Sequence, residues 1–296
     1  MKNEEVNICF VTDNNYVQHT LVALGSMLAH KFPSSQYHVF VICDKVDSER
    51  QNMMLSLNQP GFAVSMVEYD NNTYQKKDYE LGKYISAATY IRLKLPSIFR
   101  NLNRILYLDG DIIVQDDISR FYNVDLCGKA IAGVPDCGIC VESISWDMVN
   151  YVRETLPNHK TEYFNAGVIL MDLDRLRKIG FEKNCETLYK ARTDFIFADQ
   201  DILNFATQGE KRIVPICWNC PVFSFLLNYA SLSDEIFREK MKEIYNVDYK
   251  DSLMELVYKA SIIHLNGSKL HIFDTTYLGS LYERYLKLAL EYVKDG

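Results

Sequence analysis

Asp109-Gly-Asp111 has the plainest capacity for chemistry in this chain. Two carboxylates two positions apart in an extended segment point to the same side. Together they can hold a divalent cation whose remaining ligands are phosphate oxygens. Gly110 between them lets a ligand come close to the backbone. An Asp-Gly turn with two solvated carboxylates is the bland alternative. The apolar runs Ile105-Leu-Tyr-Leu108 before it and Ile112-Ile-Val114 after it argue instead for a strand end. His264 closes another apolar run and is followed by Gly267 and Lys269, a turn carrying a cation suited to a diphosphate. A lone His on an apolar strand is most often a satisfied core residue. Beside the Asp pair it completes an Asp, Asp, His set with open positions. Such a set suits Mn2+ better than Mg2+, which stands as second choice, because imidazole is the softer ligand.

Asp199-Gln200-Asp201 opens a helical pattern. Acidic residues favour a first helical turn for dipole reasons alone, and Asp199 reads as its N-cap. The functional reading gives the neutral amide of Gln200 the task of facing positive charge that develops at a reacting carbon. Asn165-Ala166-Gly167 lies at a strand start, where small side chains let a flat ligand lie against the backbone; a bulge explains it equally well. Cys137-Gly-Ile-Cys140 and Cys217-Trp-Asn-Cys220 have metal-like internal spacing. The two pairs stand much farther apart than the roughly 15–20 residues of a zinc ribbon, so they read as core thiols.

These residues need a scaffold, and the hydrophobic pattern supplies one. Val6–Val11, His38–Ile42 and Phe62–Val67 read as strands, with helical patterns from Val17 and from Ser48 between them, Ser48 as N-cap. This order implies a mostly parallel sheet with helices on its faces, an α/β Rossmann-like architecture. A helix over Ser86–Leu95 is expected to end at Pro96, and Arg104–Leu108 is a fourth strand. Ligands of such sheets bind beyond the carboxyl ends of the strands. Asp13 and Asp109 both fall there. The pattern weakens over about 136–162, which reads as an insertion with one short helix near Trp146–Arg153. It resumes with strand Phe164–Leu170, a helix from Asp199, a buried strand Ile262–His264 and a final amphipathic helix over Tyr277–Val293.

Composition narrows the function. The chain has 296 residues, 48% of them hydrophobic and 24% charged, with a net charge of −7. That is an ordinary globular profile with no positive field for nucleic acid. The apolar run at Val6–Val11 is too short for a signal peptide or a span, which places the chain in the cytoplasm with its eight Cys reduced. A nicotinamide oxidoreductase is disfavoured, since no Gly-x-Gly occurs and the first strand runs into Asp13-Asn-Asn15.

Six segments stand in a telling order: Val11-Thr-Asp-Asn-Asn-Tyr16, Tyr90-Ile-Arg-Leu-Lys-Leu95, Leu106 to Val114, Phe164-Asn-Ala-Gly167, Asp199-Gln-Asp-Ile-Leu203 and His264-Leu-Asn-Gly267. In these the chain resembles glycosyltransferase family 8, the group of bacterial lipopolysaccharide galactosyl- and glucosyltransferases and of glycogenin. The resemblance implies a GT-A fold over residues 1–270, with the acceptor side at the insertion and a C-terminal helical extension over 271–296. It implies a retaining, Mn2+-dependent transfer of galactose or glucose from a UDP-sugar to a saccharide, lipid-linked or protein-linked glycan. Thr12, Asp13, Asn15 and Tyr16 then match the uridine segment, and Arg92 a donor-site arginine. Asp109, Asp111 and His264 match the metal ligands, with Gly110 between the two Asp a substrate-binding residue. Asn165, Ala166, Gly167, Asp199 and Gln200 match the donor-sugar pocket, with Gln200 and Asp199 as the catalytic residues and Gln200 at the reaction centre. Front-face attack is the favoured route and a covalent intermediate on Asp199 or Asp201 the minority one. Gly267 and Lys269 match a diphosphate turn, although the Pro and Trp that usually follow that Lys are replaced here by Leu270 and His271. The final helix lacks the basic excess that anchors some relatives to anionic membranes, so any association with the inner face is weak and peripheral. The rival reading is a non-catalytic nucleotide-sugar or glycan-binding protein, which turnover of a UDP-sugar would separate from the enzyme.

Overall fold

The structure, a computed structural model, describes residues 4–69, 73–74, 87–141, 150–151, 154, 162–222, 234–246, 253–266 and 277–295. A seven-stranded sheet forms its centre, in the order β3-β2-β1-β4-β7-β6-β8. β1 (Glu4–Asp13), β2 (Ser35–Asp44), β3 (Phe62–Glu68) and β4 (Arg104–Leu108) run parallel. β7 (Phe164–Asp172) is antiparallel to both β4 and β6 (Ile131–Pro135), and β8 (Lys211–Ile213) runs parallel to β6. A second sheet of three short strands carries β5 (Ile112–Val114), β10 (Ile262–His264) and β9 (Cys220–Pro221) in that order.

The two faces of the large sheet bury different cores, as a period of two requires. Val6, Ile8 and Phe10 of β1 pack with Leu21, Leu24 and Met27 of the Val17–His30 helix. Cys9 points the other way, among Tyr90, Ile91, Ile105 and Tyr107. The terminal helix Tyr277–Asp295 lies along Val17–His30 on the first face. The approach is close enough that a Cβ on Gly25 would sit 2.5 Å from the Tyr285 carbonyl oxygen. Tyr285 and Tyr282 hydroxyls lie 2.7 Å from His30 Nε2 and 3.1 Å from His19 Nδ1. Among the described residues, no helix is long and apolar enough to cross a membrane.

Three local expectations give way. The Ser48–Leu55 helix is capped by Asp47, whose carboxylate accepts from Arg50 N, and Ser48 is already helical. Residues Ala87–Lys94 wind as a 3-10 helix, and Pro96 sits inside the next turn, Leu95–Ile98, rather than ending a helix. Pro fits there because a first-turn N–H has no intrahelical partner to lose. In the helix Ala198–Ala206 the N-cap is Phe197, so Asp199 lies within the first turn. The insertion's expected helix near Trp146–Arg153 falls largely outside the described residues.

Candidate active site

Two strand pairings build the acidic centre. β4 and β7 are in register with Leu108 opposite Val168, and the Asp109 N–H donates to the Gly167 carbonyl at 2.7 Å. Asp109 therefore leaves the sheet directly against Gly167. β5 and β10 place Ile112 opposite His264, and the Leu265 N–H donates to the Asp111 carbonyl at 2.9 Å. His264 Nε2 then lies 3.4 Å from Asp111 Oδ1 and 3.8 Å from Asp109 Oδ2. One ligand atom from each of the three lies within 4.8 Å of the others. Adjacent donors of an octahedral ion at about 2.1 Å are roughly 3 Å apart, so a small contraction closes this set around a divalent cation. Burial disfavours a charged His264, but the Asp111 and Asp109 carboxylates outweigh burial and raise its pKa. Gly167 leaves the room: a Cβ there would stand 2.2 Å from His264 Cε1 and 2.7 Å from Asp109 Oδ2. Among the described residues no cysteine belongs to a metal-capable group. Cys137 and Cys220 are buried and Cys217 is half-buried, in keeping with core thiols.

Arg92 supports this centre from beneath. Its guanidinium donates to Asp109 Oδ1 at 2.9 Å, to the Ala166 carbonyl at 2.7 Å, and to the Thr89 carbonyl and hydroxyl at 3.0 and 2.9 Å. It stacks 4.5 Å from the Tyr107 ring centroid and is buried. Burial works against the charge, and Asp109 and Asp199 overcome it and raise the pKa. Asp199 Oδ2 lies 2.9 Å from Arg92 Nε, while its Oδ1 accepts from the Thr89 hydroxyl at 2.8 Å. Burial pushes the Asp199 carboxyl up to about 6 against these partners.

Gln200 is held at both ends. Its Oε1 accepts from the Ala166 N–H at 2.9 Å, and its Nε2 donates to Asp136 Oδ2 at 3.2 Å. The same Asp136 oxygen accepts from Asn165 Nδ2 at 3.0 Å. The first residue of this helix, Ala198, has a φ of 49°, left-handed backbone that costs a non-glycine residue about 1 kcal/mol or more. Asp201 stabilises that bend: one oxygen accepts from the Phe197 N–H at 2.7 Å and the other from the Tyr163 hydroxyl at 2.6 Å.

The first strand delivers a third group. Asp13 Oδ1 accepts from the N–H groups of Asn15 and Tyr16 at 2.9 and 3.1 Å and so turns the chain into the Val17–His30 helix. Thr12 is buried and its hydroxyl accepts from Thr20 at 3.0 Å. Because Phe10 pairs with Leu108, this turn lies beside Asp109-Gly-Asp111. A Cβ on Gly110 would meet Thr20 Oγ1 at 2.8 Å and Tyr16 Cδ1 at 3.8 Å. Burial first, then Asp111, Asp109 and Asp13, raise the Tyr16 pKa.

Thus Thr12, Asp13 and Tyr16, the Asp109-Gly110-Asp111 segment, His264, Arg92, Asn165 to Gly167, and Asp199 with Gln200 converge on one end of the sheet, and Asn15 lies exposed at its rim. Gly267 and Lys269 lie outside the described residues. Sequence reasoning missed Asp136, Thr89 and Asn219. Asp136 carried the signal already used for Asp13 and Asp109, a carboxylate just past the carboxyl end of a strand, here β6. Thr89 and Asn219 carried none: each acts only through a neighbour that folding brings to it.

Asp201 offers a pH test of this packing. Burial pushes its carboxyl from 3.8 to about 6. Between those values the folded chain holds more protons than the unfolded one, so stability falls as pH rises through the window, and the cost is complete above it. The cost is about 3 kcal/mol. D201N removes this titration. Its stability relative to wild type, from denaturant unfolding, is expected to improve by about 2 kcal/mol between pH 4 and pH 7.5, the remainder lying below pH 4. A difference that does not change with pH would overturn the assignment.

Comparison with known proteins adds an independent line. The model of the family described as Glycosyl transferase family 8 matches residues 7–269. A putative glycosyltransferase of Haemophilus influenzae is 24% identical over 72% of this chain, and the match spans 62% of that relative's own length. A lipopolysaccharide 1,3-galactosyltransferase of Salmonella typhimurium is 27% identical over 83% of this chain and 71% of its own. Among solved structures, the galactosyltransferase LgtC in complex with donor and acceptor sugar analogues superposes with a TM-score of 0.71 at 21% identity, covering 97% of this chain and 96% of that one. At that identity the likeness concerns the fold, which is GT-A.

Proposed function

The chain belongs to glycosyl transferase family 8, and from that premise we propose that it moves galactose or glucose from a UDP-sugar to a saccharide or glycoconjugate acceptor, with retention at the anomeric carbon and Mn2+ as cofactor. One observation carries this reading: an Asp109, Asp111, His264 group stands at the same sheet end as a Gln200 amide immobilised by Ala166 and Asp136. A bound divalent ion would offset charge on the departing diphosphate. Asp109, Asp111 and His264 would hold it, and one nitrogen with two carboxylate oxygens favours Mn2+ over Mg2+.

The protein's own groups account for the rest. The turn from Thr12 to Tyr16 would present the exposed Asn15 side chain and the Tyr16 ring to the nucleoside beside the metal ligands. Asn165-Ala166-Gly167 presents almost no side-chain bulk, so a hexose can lie against this backbone. Gln200 cannot carry a covalent glycosyl group as a carboxylate can, and it orients a dipole toward charge developing at the anomeric carbon. Asp199 and Asp201 are 5% and 0% exposed. Asp201 accepts from Tyr163 and Phe197 and Asp199 Oδ1 from Thr89, while Asp199 Oδ2 makes no hydrogen bond among the described residues and is held only by the Arg92 charge 2.9 Å away. That engagement supports a front-face route over a covalent one: the acceptor oxygen bonds to the anomeric carbon as the carbon–phosphate oxygen bond breaks. The acceptor proton passes to the departing phosphate oxygen. Asp199 serves by fixing Arg92. The expected setting is the cytoplasm, where UDP-sugars and the inner-leaflet face of lipid-linked acceptors are available.

The test is UDP release from UDP-galactose and UDP-glucose, with Mn2+ and with EDTA, followed by NMR of the product. Metal-dependent release and an α linkage from the α donor are expected. Full activity in EDTA would remove the metal from the reading, and a β linkage would remove retention. Binding of UDP-sugar without any turnover would favour the binding protein.

A further inference from the structure

Asn219 lies between the two cysteines of Cys217-Trp-Asn-Cys220, a segment with metal-like spacing whose thiols belong to no metal-capable group among the described residues. It is 1% exposed. Its Oδ1 lies 3.0 Å from His264 Nδ1, and its Nδ2 donates to Asn165 Oδ1 at 2.9 Å. Pairing of β9 with β10, His264 opposite Pro221, sets it there.

The direction of each bond in this chain is forced. Gly167 N–H can only donate, and it donates to Asn165 Oδ1 at 3.0 Å. Asp136 lies at the other end of the Asn165 amide, at 3.0 Å from Nδ2. Asn165 therefore presents oxygen to Asn219, and Asn219 must answer with its NH2. Its own oxygen is left facing His264, so Nδ1 carries the hydrogen. The lone pair of neutral His264 is then on Nε2, the atom that faces Asp109 and Asp111. The other branch is fixed the same way: Ala166 N–H donates to Gln200 Oε1, which turns Gln200 Nε2 to Asp136. Two backbone N–H groups of the Asn165-Ala166-Gly167 segment thus orient both amides, and one polar chain runs His264–Asn219–Asn165–Asp136–Gln200.

We propose that Asn219 is a positioning residue with two separable tasks: its oxygen selects and aims the His264 tautomer that binds the metal, and its NH2 holds Asn165 and Asp136 in the arrangement that places Gln200. Partners of a metal-bound imidazole's second nitrogen commonly change metal affinity by ten- to a hundredfold when lost. The inference rests on the proposed metal site, and the two tasks predict different losses. N219D keeps an oxygen toward His264 and replaces the donor toward Asn165 with a second oxygen, which Asn165 cannot turn to accommodate. N219L removes both.

The experiment uses the full chain at pH 7.5, with folding of each variant verified by circular dichroism. Mn2+ uptake is read from the electron paramagnetic resonance signal of the free ion, with no donor present. UDP release is then measured at saturating Mn2+ with whichever of UDP-galactose and UDP-glucose the wild type uses. N219L is expected to bind Mn2+ about ten- to a hundredfold more weakly. N219D is expected to bind Mn2+ within about threefold of wild type or more tightly, because a carboxylate makes the imidazole more basic, and to lose about tenfold or more in kcat. Wild-type Mn2+ affinity in N219L, equal weakening in both variants, or full kcat in N219D would each overturn the proposal. A wild-type chain that takes up no Mn2+ would instead overturn the metal site proposed above. N219D is nearly isosteric, so it carries the test if N219L melts.

Discussion

D111A is expected to abolish metal-dependent turnover while leaving the fold almost untouched. Asp111 is buried, its carboxylate lies 3.4 Å from His264 Nε2, and its backbone bond to Leu265 survives substitution. Loss of one ligand from a three-residue set forfeits several kcal/mol of charge stabilisation on the leaving diphosphate, on the order of a thousandfold in rate. The same substitution at Asp109 carries a second penalty. Asp109 Oδ1 accepts from Arg92 at 2.9 Å and from the Tyr107 hydroxyl at 2.7 Å. D109A strips part of the compensation from a buried cation, a defect of about 3–5 kcal/mol in comparable buried pairs. Turnover, Mn2+ uptake and denaturant midpoint, measured on both variants, separate the two roles. D111A with more than about a tenth of wild-type activity at saturating Mn2+ sinks the metal assignment. D109A as stable as D111A sinks the structural one.

The contrast between these two aspartates shows what the sequence could and could not disclose. Their spacing and the apolar run before them were enough to place them at a strand end, and β4 is found over Arg104–Leu108 as expected. The same held for β7 and β10, which are buried on both faces and read as unbroken apolar runs. It held also for β1, β2 and β3, where β2 and β3 alternate between buried and less buried positions. Strand direction was less legible. The β-α-β rhythm of the first half argues for parallel pairing, and the sheet obeys it from β3 to β4. β7 then enters antiparallel after the insertion, a choice made by register with β4 that no local pattern encodes. The capping error at Ser48 arose because Asp47 is an equally good N-cap, whereas Asp199 lost to Phe197, whose side chain makes no cap bond and which no local preference singles out.

The candidate site was legible where a residue acts through its own chemistry and opaque where it acts through another. Asp109, Asp111 and His264 belong to types that bind cations, and they meet. Asn219, Thr89 and Asp136 matter because of what they touch. Asn219 reaches His264 only because β9 and β10 pair. Asp136 opened a stretch whose periodicity had faded, so the fading concealed a carboxylate on which two amides converge. Arg92 lay between these cases. A donor-site arginine was expected, and its side chain is found beneath the site, committed to Asp109, Asp199, Ala166 and Thr89.

That commitment makes Arg92 the residue whose loss should damage stability most. R92M keeps a similar length of apolar stem and can lie against the Tyr107 ring, but it leaves Asp109 and Asp199 facing each other with no cation between them. Asp199 is 5% exposed, and Asp109 already helps to raise its pKa. Removing one partner of a buried ion pair costs about 3–5 kcal/mol, because the stranded charge remains desolvated. For a chain of this size that is a fall of roughly 10 °C in Tm. The variant has an internal control in pH. Without Arg92 the Asp199 carboxyl is pushed higher still, so the folded variant takes up a proton more readily than the unfolded chain. Its deficit relative to wild type should then shrink as pH falls from 7.5 to 5. R92K tests geometry: an ammonium restores charge but cannot span Asp109, Asp199 and the Ala166 carbonyl as a planar guanidinium does, so it should recover less than half of the loss. A Tm for R92M within about 2 °C of wild type, or full recovery by R92K, would show that the cation is dispensable or that its fork is irrelevant. A deficit that stays constant from pH 7.5 to pH 5 would show that the stranded carboxylates are not its source.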